Sequence, residues 1–225
     1  LMALSISTNN SALQAAASAS SVNRSMETSM ERLSTGMRIN SASDDAAGVA
    51  ISSRLSAEIR GTNLSIRNAL DGQSLIDTAE GAHKEVENLL QRMRELAIQA
   101  ANGTNDADDI TNLEAEFTAL STEITRIGEV TSFAGKALTG TDATAFSFQV
   151  GSGTATANQI SVTINSIKSA SIGTDSGTQL SAVVTAGLDD LTETNAAIVV
   201  IDDAIKEVNT QRSELGAVSN RLNHT

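Results

Sequence analysis

From Thr62 to Ala100, apolar residues fall in two interleaved series at coiled-coil spacing. One runs Ile76, Ala79, His83, Val86, Leu90, Met93, Ala97 and Ala100, alternating steps of three and four. The other recurs every seven residues at Leu75, Ala82, Leu89 and Leu96. Together they make a stripe wide enough to face more than one partner helix. The pattern predicts one rod helix over Asp44 to Ala101, about 85 Å long at 1.5 Å per residue. A cap at Ser43-Asp44-Asp45 is expected to start it, and Asn102-Gly103 to stop it through a C-terminal glycine. A rod of this length suits a stalk, spacer or fibre better than a pocket.

The flanking segments complete a helical organisation. Ser11 to Leu33 reads as an Ala/Ser-rich helix whose last apolar positions are Met26, Met30, Leu33 and Met37. Ser34 to Ser43 is a turn-rich connector. A return helix is expected to begin near Asp106 to Asp109, with the seam Ile110, Leu113, Phe117, Leu120, Ile124 and Ile127. From Gly128 to Gly187 the chain turns rich in Thr, Ser and Gly, and the apolar period falls to two. Phe146, Phe148 and Val150, then Ile160, Val162 and Ile164, read as a β-hairpin covered on one face by Phe133 and Leu138. A closing helix follows over Leu188 to Leu222. Its seam reads Leu188, Leu191, Asn195, Ile198, Ile201, Ile205, Val208, Arg212, Leu215, Ser219 and Leu222. The pattern is still in phase at Thr225, which reads as a truncated helix.

The expected fold is therefore mainly α: an elongated antiparallel bundle of rod, return and closing helices, with a small β-hairpin insert looped out at its far end. The expected domains are 1–43 (an inner helix and connector), 44–139 with 188–225 (the rod domain), and 140–187 (the insert). The subunit-packing and core positions expected from the seams are Leu90, Met93, Phe117, Leu120, Ile124, Ile205 and Leu215.

Composition narrows the chemistry. The 225 residues contain four Phe and no Trp, Tyr, Pro or Cys. Packing must then come from Ala, Leu, Ile and Val, which suits close helix–helix contact, and no proline interrupts a helix. Without cysteine there are no disulfides, thiolate metal sites or thiol chemistry. A net charge of −12 argues against nucleic acid and anionic membranes as partners. No stretch reaches the apolar length of a membrane span. Leu1 to Asn10 has neither the positive segment nor the hydrophobic run of a secretory signal.

Four segments carry a family resemblance. RLSTGMRINSASDDAAGVAISSRL (Arg32 to Leu55), NALDGQSLIDTAEGA (Asn68 to Ala82) and LQRMRELAIQAANGTN (Leu90 to Asn105) closely resemble the N-terminal signature of bacterial flagellin. SELGAVSNRLNHT (Ser213 to Thr225) resembles the start of the C-terminal signature. The agreement is dense over about 130 N-terminal and 35 C-terminal residues, and residues 140–187 lie outside it. The resemblance implies a secreted, extracellular subunit of the bacterial flagellum, self-assembling for motility through its terminal and rod helices. It implies export through the flagellar type III apparatus with a chaperone, and other flagellin subunits as partners. The family's C-terminal inner helix and large outer domains are not represented. The resemblance also implies recognition by the animal Toll-like receptor for flagellin through Arg92, Leu96 and Glu116. These are read as an exposed set, with packing against the next subunit as the alternative role of the same face.

Other candidates reduce to structural readings. His83 in the rod seam invites a pH switch, but reads more simply as a partly exposed ring over Ala79 and Val86. Asp106, Asp108 and Asp109 faintly suggest calcium, yet lack the Gly and Glu of the standard loop, so helix capping is the expected role. No cofactor is implied. One other function stays open, a flagellin-like surface polysaccharide-binding protein or adhesin, while a second, an enzyme, is not expected. The insert lacks aromatic platforms for the first. For the second it holds only Asp142 and Asp175 as acidic residues and no histidine.

Overall fold

The computed structural model describes residues 9–140 and 144–225. The missing-signal reading of the first residues and the insert residue Asp142 lie outside the described residues. The chain divides into two compact units, Leu1–Arg60 and Gly61–Thr225. The division falls inside the rod helix.

In the first unit, helix α1 spans Asn10–Thr35. The Asn9 side chain caps it by accepting from the Ala12 N–H at 3.2 Å. It ends at Gly36, whose φ of 70° is the left-handed geometry that glycine takes without strain. A connector follows, closed by Asp44, whose carboxylate accepts from the backbone N–H groups of Asn40 and Ser41 at 3.1 and 3.0 Å. Those donors hold its pKa below the ordinary carboxylate value. Asp45 caps the rod helix α2, Ala46–Ala100, by accepting from the Gly48 N–H at 2.8 Å.

The second unit holds the core. Its elements after α2 are α3 (Ala107–Val130), the short antiparallel pair β1 (Ser132–Phe133) and β2 (Lys136–Ala137), the hairpin β3 (Thr144–Gln149) and β4 (Gln159–Ile164), α4 (Leu180–Ala186), and α5 (Leu191–Asn223). Ion pairs fix the helix directions. Arg92 on α2 reaches Glu116 on α3, and Arg94 and Glu87 on α2 reach Asp202 and Arg212 on α5. Residues 94 and 87 of α2 thus meet 202 and 212 of α5, so α5 runs antiparallel to α2, and the short turn after Ala100 together with the Arg92–Glu116 pair folds α3 back alongside α2.

The interior follows the seams closely. Every member of the Ile76 to Ala100 series is buried. Around its second half Phe117, Ile124, Ala197, Ile201, Ala204 and Val208 complete one core cluster. Leu120 and Ile205 are half-buried against it. Leu90, Met93 and Ile124 are fully buried there, and Leu215 is fully buried in a second cluster. That second cluster joins Ala69, Leu75, Ile76 and Ala79 to Leu138, β4 and Leu222. Small residues do much of the work: Ala79, Ala97, Ala197 and Ala204 are completely enclosed, allowing close helix contact without aromatic bulk. In the hairpin, Phe146 lies opposite Val162 and Phe148 opposite Ile160, so the alternating apolar residues share one face. At Gly72, a Cβ would come within 3.0 Å of the Phe148 ring, so this glycine lets the hairpin lie on α2.

Five expectations need correction. The insert is not a hairpin looped out at a far end: Ile167, Ile172 and the α4 residues Leu180 and Val183 belong to the first core cluster, and the hairpin packs with Leu215 and Leu222. Gly103 is not a left-handed cap, as its φ is not positive. Here Asn102 N–H and Asn105 N–H close the turn on the carbonyls of Gln99 and Asn102. The seam of α5 is rotated at its start, so that Leu191 and Asn195 face out while Thr194 and Ala197 face in. His83 is fully buried, not partly exposed. Leu96 is buried too, with consequences for the site.

Candidate functional site

Two surfaces and one buried cluster carry the chemistry. Arg92 lies on α2 beside the start of the return helix. Its Nε donates to Glu116 Oε1 at 2.9 Å, and its Nη1 donates to Glu95 Oε2 at 3.1 Å. These carboxylates raise the guanidinium pKa further, so the charge is permanent. Arg92 and Glu116 are both about half exposed, and the structure brings them together as one polar pair. Leu96 does not join them. At 1% exposure it faces the core, because its series points toward α3 and α5. The exposed face beside Arg92 is therefore polar.

The buried cluster centres on His83. Its Nδ1 hydrogen-bonds the Ala79 carbonyl at 2.7 Å, whereas Nε2 has no partner among the described residues. Burial is the main cause that lowers its pKa, and the Arg212 charge adds to it; the Ala79 bond and Glu80 oppose the shift. Arg212 of α5 pairs with Glu80 and Glu87, which lie either side of His83 in the α2 sequence. The spacing predicts Arg212 in the α5 seam but not its carboxylate partners. A lone arginine among apolar seam residues, facing carboxylates at 80 and 87, was the available signal.

The acidic groups act as caps and ties. Asp106 accepts from the Asp109 N–H at 2.8 Å, and Asp109 accepts from the Asp106 N–H at 3.4 Å, a reciprocal capping box at the start of α3. Asp108 is exposed in the same first turn. Asp190 caps α5, Asp202 binds Arg94, and Asp175 binds Lys206. Among the described residues, no group of three or more His, Cys, Asp or Glu side chains is placed to hold a metal. A groove of about 560 Å³ runs between the 165–175 segment and α5, with Lys206 and Asp175 among its lining residues. Phe117 is buried in the first cluster, and Phe133, Phe146 and Phe148 are half-buried against the second.

The first unit supplies the other surface. No residue of α1 is buried. Leu13, Val22, Met26, Met30, Leu33 and Met37 are exposed, Leu33 at 81%. Ile51, Leu55 and Ile59 continue this exposed apolar character along α2. Apolar side chains this numerous and this uncovered mark an interaction surface. No described helix is long and apolar enough to cross a membrane.

Comparison with known proteins gives these surfaces a context. Flagellin E of Vibrio cholerae is 48% identical over 161 residues, which cover 72% of this chain and 43% of the relative. The chain thus spans less than half the length of the curated relatives it matches. The crystal structure of Bacillus cereus flagellin superimposes with a TM-score of 0.56 at 32% identity, covering 71% of this chain and 86% of that one. A putative flagellar hook-associated protein from Vibrio parahaemolyticus gives a TM-score of 0.67 at 17% identity, covering 81% and 91%, a likeness of fold. The model of the bacterial flagellin N-terminal helical region matches residues 6–144, more than half of the sequence, and the chain belongs to that family.

Proposed function

We propose that this chain is a structural subunit of the bacterial flagellar filament, working outside the cell by assembly and not by catalysis. The observation that carries the reading is the uncovered apolar row on α1 and the first turns of α2, in a chain of the flagellin family. Burying such residues between copies contributes about 25 cal/mol per Å² of apolar surface removed from water. The partners of the reading are other flagellin subunits. Export through the flagellar type III apparatus with a chaperone belongs to the same reading. So does recognition of the monomer by the animal Toll-like receptor for flagellin, supported by the half-exposed Arg92–Glu116 pair and without Leu96.

These 225 residues contain no cysteine, so a thiol introduced on α1 is the one thiol of this region. Met30→Cys in the complete polypeptide should react quickly with a maleimide as monomer and slowly in assembled filaments. Equal reactivity in both states would show that α1 is not the assembly surface.

A further inference from the structure

We propose that the α2–α3 turn contains a site of spontaneous deamidation at Asn102, which gives the chain a built-in chemical ageing step. Asn102 is the one asparagine of the sequence that is followed by glycine. The residue is exposed, two positions beyond the end of α2. Its backbone is held by bonds from its own N–H to Gln99 and from the Asn105 N–H to its carbonyl. Its carboxamide makes no hydrogen bond among the described residues, and neither does the Gly103 N–H. A Cβ on Gly103 would meet nothing within 4 Å, so the space around the nucleophile is open.

The step needs only base and water. The Gly103 nitrogen loses its proton to solvent base and attacks Cγ of Asn102, forming an N–Cγ bond. The Cγ–Nδ2 bond then breaks, and Nδ2 leaves as ammonia after taking one proton from solvent. Water opens the resulting succinimide. Addition at Cγ gives aspartate; addition at the main-chain carbonyl gives isoaspartate, which routes the backbone through the former side chain. Either product places a carboxylate beyond the negative end of the α2 dipole, a few residues before Asp106, Asp108 and Asp109 in the sequence. Nearby asparagines are restrained by comparison. Asn105 donates its Nδ2 to Gln99 at 2.7 Å and precedes Asp106, and Asn112 lies within α3.

Residues 95–126 form one tryptic peptide containing Asn102, Asn105 and Asn112, so the test carries internal controls. The folded chain is held at neutral and mildly alkaline pH and mapped by tandem mass spectrometry, with isoaspartyl methyltransferase labelling. Conversion is expected first at Asn102, mostly to isoaspartate, at a rate that rises with pH. Gly103→Ala should slow it severalfold while keeping the melting temperature, since the added methyl meets open space. Conversion at Asn102 no faster than at Asn105, or unaffected by Gly103→Ala, would overturn the proposal. So would conversion far slower in the folded chain than in urea, because the turn would then protect the site.

Discussion

Arg92 and Leu96 stand one turn apart on α2, yet Arg92 is about half exposed and Leu96 is 1% exposed. Residues four apart neighbour each other on a helix, but the core boundary passes between these two. They should therefore separate by mutation. Arg92→Ala should lower receptor signalling by the monomer and leave the melting temperature nearly unchanged. Leu96→Ala should destabilise by about 2–5 kcal/mol, the range for buried leucines. Signalling at the wild-type level from Arg92→Ala would remove that residue from the recognition surface. A melting temperature unchanged in Leu96→Ala would contradict its place in the core.

Phe117 is the largest fully buried side chain of α3 and sits in the cluster shared by α2, α4 and α5. Phe117→Ala should cost about 3–5 kcal/mol. That is a large share of the roughly 5–15 kcal/mol that holds a typical domain together. Denaturant titration measures it, and a loss below about 1 kcal/mol would contradict the packing described.

His83 predicts a pH dependence with a definite sign. Its folded pKa lies below the unfolded value of about 6.5, chiefly because burial penalises the charged form. Below that value the unfolded chain binds the proton and the folded chain does not. Stability is then fully present above about pH 6.5 and falls with pH until the folded pKa is reached, at no more than about 1.4 kcal/mol per pH unit. Arg212 opposes protonation, whereas Glu80 favours it. His83→Leu should flatten this part of the stability–pH curve. Urea titrations of both forms across mildly acidic pH decide the matter; parallel curves would mean that His83 is not the titrating group.

The sequence revealed most of the helical frame because long seams leave a periodic signal. Ile76 to Ala100 holds its three-four spacing through several turns, and Phe146, Phe148, Ile160 and Val162 alternate cleanly. Helix α4 escaped notice because Leu180–Ala186 completes scarcely two turns within Ser/Thr-rich surroundings, too short for a period to emerge. The rotation at Leu191 was hidden because Thr194 and Ala197, although polar or small, occupy the tightly packed face. Arg212 stands out as a charge in its seam, but which carboxylate it meets, Glu87 at a separation of 125 residues, leaves no local trace. Leu96 belonged to the inward heptad series from the start, and the resemblance alone suggested its exposure.

The proposed assembly of the filament runs through the uncovered apolar positions of α1. Its most direct test is electron microscopy, after a salt jump, of the complete flagellin polypeptide that contains this sequence, beside its Met30→Asp variant. The wild type should form filaments. The variant should remain unassembled with an unchanged melting transition, because Met30 lies on a helix with no buried residue in the monomer. Filaments of normal appearance from Met30→Asp, or none from the wild type, would contradict the account.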